Sequence, residues 1–171
     1  MKKTFVYIST LAFLVTAPGC KKYLEQVPDL RTEVNSPAKV AELLTSAYPR
    51  ANYIPFLEAM TDNSEDRDIA SPNLANSQSW AFEDVTFRVQ DSPDFFWQNA
   101  YAAIAAANQA LDVINKAADQ SAYAASKGEA LVARAYAHFM LVTIYAKVYN
   151  ANTAGKDPGI PYVTTPETVV I

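Results

Sequence analysis

The sequence predicts an all-α chain, built of helical hairpins joined by long irregular loops. Three observations carry that prediction. Ser36-Pro37 and Ser92-Pro93 each pair a favoured helix cap with the residue favoured at the first helical position. Apolar residues after both pairs recur three and four positions apart, which places them on one helical face. A third stretch from about residue 121 to 148 is rich in alanine and aromatic side chains at the same spacing.

In the first helix Val40, Leu43, Leu44, Ala47 and Tyr48 share a face, and Pro49 ends it. The segment from Arg50 to Asp91 reads as loop with short helical turns. It holds an apolar patch (Tyr53, Ile54, Phe56, Leu57, Met60), an acidic run from Asp62 to Asp68, and an Asn- and Ser-rich stretch leading to Trp80, Phe82, Val85 and Phe87. In the second helix Asp94 places a negative charge near the positive end of the dipole. Trp97, Tyr101, Ile104, Asn108 and Leu111 then form one stripe, flanked by Phe96, Ala100, Ala103 and Ala107. The alanines allow a partner backbone to come close.

The start of the third helix has two readings. Ser126-Lys127-Gly128-Glu129 is a capping-box pattern, or else the helix begins earlier and runs through Gly128. From Leu131 to Tyr149 this helix is apolar on nearly every side, which predicts burial on several sides and more surrounding protein than two other helices supply. Asp157-Pro158-Gly159 marks a turn, and Ile160-Pro161-Tyr162-Val163 reads as extended. The last two helices look like one hairpin of a tetratricopeptide array, and fewer than about three such repeats are rarely stable alone. With an apolar end at Val169-Val170-Ile171, the expectation is a truncated chain, or one closing on contacts it does not contain.

The N-terminus reads as an address. Met1-Lys2-Lys3 is a positive start, Phe5 to Val15 is mostly apolar, and Thr16-Ala17-Pro18-Gly19 leads directly to Cys20, the single cysteine among 171 residues. An apolar run of this length suits a secretory signal rather than a membrane span. The arrangement resembles a bacterial lipobox, which implies cleavage after residue 19 and lipidation of Cys20. Several acyl chains anchor stably, since each buried methylene contributes about 0.8 kcal/mol. Lys21 and Lys22, with no acid directly after the cysteine, favour the outer membrane by analogy with lipoprotein sorting. Residues 20–35 would be the lipidated tether and 36–171 the helical region.

Composition excludes several function classes. One cysteine and one histidine leave no disulfide framework and few ways to build a zinc centre or a histidine-based triad. Without the first 19 residues the charged count becomes 12 basic against 18 acidic, a net of −6, which has no attraction for phosphate backbones, so nucleic acid is not an expected partner. Only 4 glycines occur, and none forms a phosphate-binding loop. No catalytic residue, cofactor or metal site is expected.

The remaining constellations favour structural roles. Asp62, Ser64, Asp66 and Asp68 alternate like calcium ligands, but Arg67 and Asn73 stand where an EF-hand needs Gly and Glu, so a solvated acidic loop is expected. His138 has no second histidine, cysteine or nearby acid and reads as a satisfied core residue. Arg134 needs a carboxylate or carbonyl partner, with a structural ion pair as the expectation. Among the aromatics able to stack on sugar rings, Trp97 and Tyr101 read as core. Trp80, placed in a loop, is the candidate ligand-binding residue.

Four segments together resemble the SusD/RagB family of outer-membrane nutrient-uptake lipoproteins. Cys20-Lys21-Lys22-Tyr23-Leu24-Glu25-Gln26-Val27-Pro28 is similar to the family's lipid-bearing start. Trp97-Gln98-Asn99-Ala100-Tyr101-Ala102-Ala103-Ile104-Ala105-Ala106-Ala107-Asn108 and Gly128-Glu129-Ala130-Leu131-Val132-Ala133-Arg134-Ala135-Tyr136-Ala137-His138-Phe139 resemble its two most recognisable helices. Gly159-Ile160-Pro161-Tyr162-Val163 resembles the strand-like segment that follows. Ala146 departs from the glycine common in the family after the helix-ending tyrosine. The resemblance implies an incomplete SusD-like fold with tetratricopeptide-like hairpins, on the extracellular face of the outer membrane and held there by lipid alone. It implies no enzymatic activity, a TonB-dependent transporter of the SusC type as partner, and an oligosaccharide or peptide as ligand. Family members are several times longer and their ligand contacts mostly lie further along, so no ligand-binding residue is carried over.

Overall fold

A computed structural model describes residues 33–65, 67–68, 70, 73–86 and 88–167. The expected signal sequence at 1–19, Cys20 as the expected lipidation site, and the expected tether as far as residue 32 lie outside the described residues. All regular structure among those described is helical: α1 (Pro37–Leu44), α2 (Ile54–Ala59), α3 (Leu74–Trp80), α4 (Pro93–Lys116) and α5 (Ala124–Tyr145), with a 3-10 turn at Ser121–Tyr123 leading into α5. The all-α expectation stands.

Helix α1 starts where the Ser-Pro pair places it. The Ser36 hydroxyl accepts the Lys39 amide at 3.4 Å, and Pro37 supplies a pre-set φ at the first position. Its regular part stops at Leu44, earlier than Pro49. The amides of Thr45, Ser46 and Ala47 each reach back three residues, to Glu42, Leu43 and Leu44, so the last turn tightens instead of ending abruptly. Ala47 therefore still faces the core with Val40 and Leu44.

Helices α4 and α5 form an antiparallel hairpin, the most extensive packing between any two helices. The fully buried Ser92 hydroxyl accepts the Phe95 amide at 3.2 Å. Asp94 sits in the first turn and Lys116 in the last, each with the sign the helix dipole favours. The inner faces meet through small residues: Ala100, Ala103, Ala107 and Ala110 on α4, and Ala130, Ala133 and Ala137 on α5. Larger side chains close the seam at either end. Val40, Leu44, Leu111 and Ile114 gather at one end with Ala130 and Ala133, and Val34 already packs against them. Phe56, Phe96, Ile104 and Leu141 gather at the other end, around Ala100 and Ala137. Each such aliphatic or aromatic side chain gains about 1.5–3 kcal/mol on burial.

The open question at the start of α5 resolves in favour of the longer helix. It runs through Gly128, and Ser126 lies within it. Glu129 does not fold back to a cap; its carboxylate accepts the Tyr48 hydroxyl at 3.3 Å. The helix ends at Tyr145 rather than near 148, where Ala146 turns extended with ψ 161°. The expectation of burial on several sides is corrected here. Only one narrow stripe is buried (Ala130, Ala133, Ala137, His138, Leu141), while Val132, Tyr136 and Phe139 face outward. The stripe suffices because alanines let α4 and α1 approach this one face closely.

The segment after α5 folds back along the hairpin. Residues 160–164, which include the Ile160–Val163 stretch expected to be extended, have no regular secondary structure and pair with no strand among the described residues. Helix side chains take up their backbone groups instead. The Tyr101 hydroxyl donates to the Pro161 carbonyl at 2.9 Å, and the Asn108 amide to the carbonyls of Val163 at 3.1 Å and Thr165 at 3.5 Å. Arg134 Nη1 donates to Thr164 at 3.1 Å, and the Val163 amide donates to His138 Nε2 at 3.1 Å. These side-chain bonds fasten the segment, which is exposed over residues 161–165, to the hairpin.

Candidate functional site

The two short helices lie where the sequence shows no periodicity. In α2, Asn52 Oδ1 accepts the Ile54 amide at 3.0 Å and starts the turn. Phe56 is buried against Phe96 with ring centroids 6.4 Å apart, while Tyr53 meets the same ring edge-on at 5.5 Å. Those contacts fasten α2 to α4. In α3, Asn73 Oδ1 accepts the Asn76 amide at 3.2 Å, and Ala75 and Ser79 turn inward. Helices α2 and α3 pack against each other, and the Thr61 and Ser64 hydroxyls tie the acidic loop to the end of α2 by donating to the Glu58 carbonyl at 2.8 and 2.6 Å.

Between α2, α3 and that loop lies an open cleft of about 640 Å³, within the range typical of small-molecule sites. Its apolar wall is Pro55, Ala59 and the indole of Trp80. Trp80 is 47% exposed, so much of its ring faces solvent. Around it stand Arg67, Asn73 and Asn76 as donors and Glu58 and Glu65 as acceptors. Arg67 and Asn73, the residues that break the calcium pattern, thus line a cleft. A half-exposed aromatic face ringed by amide, guanidinium and carboxylate groups suits a ligand with apolar C–H faces and many hydroxyls.

The structure moves Trp80 from the expected loop to the last residue of α3. The helix is hidden in the sequence because three of the seven residues of Leu-Ala-Asn-Ser-Gln-Ser-Trp favour caps and turns. The signal available was Asn73 three residues before Asn76, a cap spacing. Its far end is closed by two bonds: the Phe82 amide donates to the Ser79 carbonyl at 3.0 Å and the Glu83 amide to the Gln78 carbonyl at 2.8 Å. Of the acidic loop, Asp66 lies outside the described residues, and no group of three metal-ligating side chains occurs among those described.

The other singled-out residues serve the scaffold. Trp97 packs on Tyr101 and edge-on against Tyr145, both at 5.0 Å. His138 is buried, with Nδ1 2.9 Å from the Arg134 carbonyl and Nε2 facing the Val163 amide. Arg134 is structural, but the expected ion pair is corrected. Among the described residues its acceptors are neutral, Asn108 Oδ1 at 2.9 Å and the Thr164 carbonyl. Asn108 fills the place a carboxylate would take because its amide must also donate to the returning segment.

The architecture defines a class: a helical-hairpin scaffold bearing an open, aromatic-walled cleft of a kind that holds small polar molecules. The chain belongs to the SusD-like family, whose model, described as "Starch-binding associating with outer membrane", matches residues 22–170. That membership makes it a nutrient- or glycan-binding protein associated with the outer membrane. No curated protein and no solved structure matched it. No helix among the described residues is long and apolar enough to cross a membrane.

Proposed function

We propose that this chain is a surface lipoprotein that captures an oligosaccharide in the Trp80 cleft and presents it to a SusC-type TonB-dependent transporter. The observation that carries the proposal is the half-exposed Trp80 indole forming the wall of a cleft edged by Arg67, Asn73 and Asn76. A pyranose ring stacks its apolar face on the indole, and its hydroxyls exchange hydrogen bonds with the surrounding side chains. No covalent chemistry is required of the cleft, in keeping with a family of binding proteins. Lipid on Cys20 holds the protein to the outer membrane, on the extracellular side, with the hairpin serving as scaffold and transporter-facing surface.

Calorimetric titration with maltose through maltoheptaose, and with cello-, manno- and xylo-oligosaccharides of matching length, tests capture. Binding by the wild type that is lost in Trp80→Ala supports the cleft. Silence across the panel favours the other reading, a tetratricopeptide-type interaction lipoprotein with no nutrient ligand, which the outward Val132, Tyr136 and Phe139 would serve. Co-purification of a large β-barrel with the lipid-anchored protein tests the transporter, and mass spectrometry of the mature N-terminus tests Cys20.

A further inference from the structure

Two residues beyond Trp80, the backbone takes an unfavourable turn. Phe82 has φ 55°, in the left-handed region. The two bonds that close α3, from the Phe82 amide to Ser79 and from the Glu83 amide to Gln78, form a Schellman stop with Phe82 at its left-handed position. Glycine normally stands there, because a Cβ in this conformation crowds the following carbonyl oxygen. A bulky aromatic is among the least suited residues for it.

Burial does not offset that strain. Phe82 is 72% exposed, more than Trp80, and belongs to neither core cluster. The surrounding structure holds the turn regardless. Gln78 Oε1 accepts the Thr86 amide at 3.3 Å and its Nε2 donates to the Thr86 hydroxyl at 3.4 Å, which pins the chain beyond Phe82 back onto α3. A strained conformation that persists because its surroundings over-determine it is a mark of ligand clamps and other functional sites. Chain geometry keeps the Phe82 Cα within about 7.6 Å of the Trp80 Cα. Phe82 is not part of the cleft lining, and its exposed ring is a second aromatic surface on the chain next to Trp80.

We propose that Phe82 is a ligand-contacting residue that stacks on a sugar ring beyond the one held by Trp80, so that the site discriminates in favour of longer oligosaccharides. This rests on the glycan reading of the cleft. The alternative occupant of an exposed aromatic, a protein surface, predicts no dependence on sugar length.

The experiment is the same calorimetric titration, run on wild type, Trp80→Ala, Phe82→Gly, Phe82→Asn and Phe82→Tyr. Glycine and asparagine both tolerate the left-handed turn, so these variants remove the ring without unfolding the protein, and a raised thermal midpoint in Phe82→Gly checks that the strain is real. The expected result is that both bind the longest oligosaccharides roughly three- to tenfold more weakly, the loss of one aromatic contact. They bind the shortest ligand as the wild type does, and Phe82→Tyr binds every length as the wild type does. Unchanged affinity at every length, or an equal loss at every length, overturns the assignment of Phe82 while Trp80→Ala still abolishes binding and the cleft reading stands. Binding unaffected by Trp80→Ala, or a wild type silent to the whole panel, overturns the glycan reading and the Phe82 assignment with it.

Discussion

Arg134 donates to the side-chain oxygen of Asn108 at 2.9 Å, and that bond sets which way the asparagine amide points. With Oδ1 committed to the guanidinium, Nδ2 faces the carbonyls of Val163 and Thr165. Asn108 is 1% exposed, so its own amide has no water to fall back on. One neutral side chain thereby joins α4, α5 and the returning segment.

Asn108→Asp is expected to destabilise the protein, although it gives Arg134 a carboxylate. The new oxygen would replace Nδ2 and confront two carbonyl oxygens, leaving them without a donor. The expected loss is about 1–3 kcal/mol, the range for a buried polar group deprived of its partner. Urea denaturation measures it. A variant as stable as the wild type would show that the ion pair compensates and that the link to residues 163–165 matters little.

His138 makes a similar two-sided link. The Val163 amide can only donate, so Nε2 must accept, and the ring proton sits on Nδ1, toward the Arg134 carbonyl. Replacing His138 with Phe fills the volume but strands the Val163 N–H. Amide hydrogen exchange at Val163 is expected to accelerate at least tenfold, with little change for amides at the middle of α4. Equal protection in both proteins would mean that the ring of Tyr162, 4.6 Å from His138, is what holds the segment.

The hairpin is legible in the sequence and the cleft is not, for a physical reason. Ser92-Pro93 and the apolar stripe from Trp97 to Leu111 declare α4, because a long amphipathic helix repeats its signal over many turns. Helices α2 and α3 have 6 and 7 residues, too short for a period to show. They exist through single events: the Asn52 and Asn73 side chains at their starts, Phe56 against Phe96, and a left-handed Phe82 that no propensity scale favours. Trp80 is identifiable as a ligand candidate, but its neighbours Arg67 and Asn76 come from segments whose approach only tertiary packing determines. The outward face of α5 is likewise invisible to composition, since Val132 and Phe139 look like core residues.

Alkaline pH is expected to loosen the end of the hairpin near Tyr145. Burial first, and then the charge of Asp94, push its phenol well above the ordinary tyrosine range, and its hydroxyl donates to the Pro93 carbonyl at 2.6 Å. A group whose folded-state pKa is raised contributes stability that is complete below its unfolded pKa, near 10, and fades as pH rises toward the folded value. Stability should therefore decline above about pH 10. The decline should be shallower in Tyr145→Phe, which starts lower at neutral pH because Pro93 loses its donor. Denaturation midpoints at several alkaline pH values check this, and parallel curves for the two proteins would rule Tyr145 out as the cause.

Two residues on α5 separate burial from hydrophobicity. Leu141 is fully buried among Phe56, Phe96 and Ile104, whereas Phe139, two positions earlier, is 63% exposed. Leu141→Ala opens a cavity where the alanine seam already brings backbones close, which limits relaxation, so a loss of about 2–5 kcal/mol is expected. Phe139→Ser removes a larger side chain yet is expected to change stability by no more than about 0.5 kcal/mol, because it has little packing to lose. It should also lower self-association at high concentration by breaking up the apolar surface shared with Val132 and Tyr136. Denaturation curves and sedimentation on the two variants read both effects. A Phe139→Ser loss comparable to that of Leu141→Ala would mean that the outward face of α5 is covered in the folded protein.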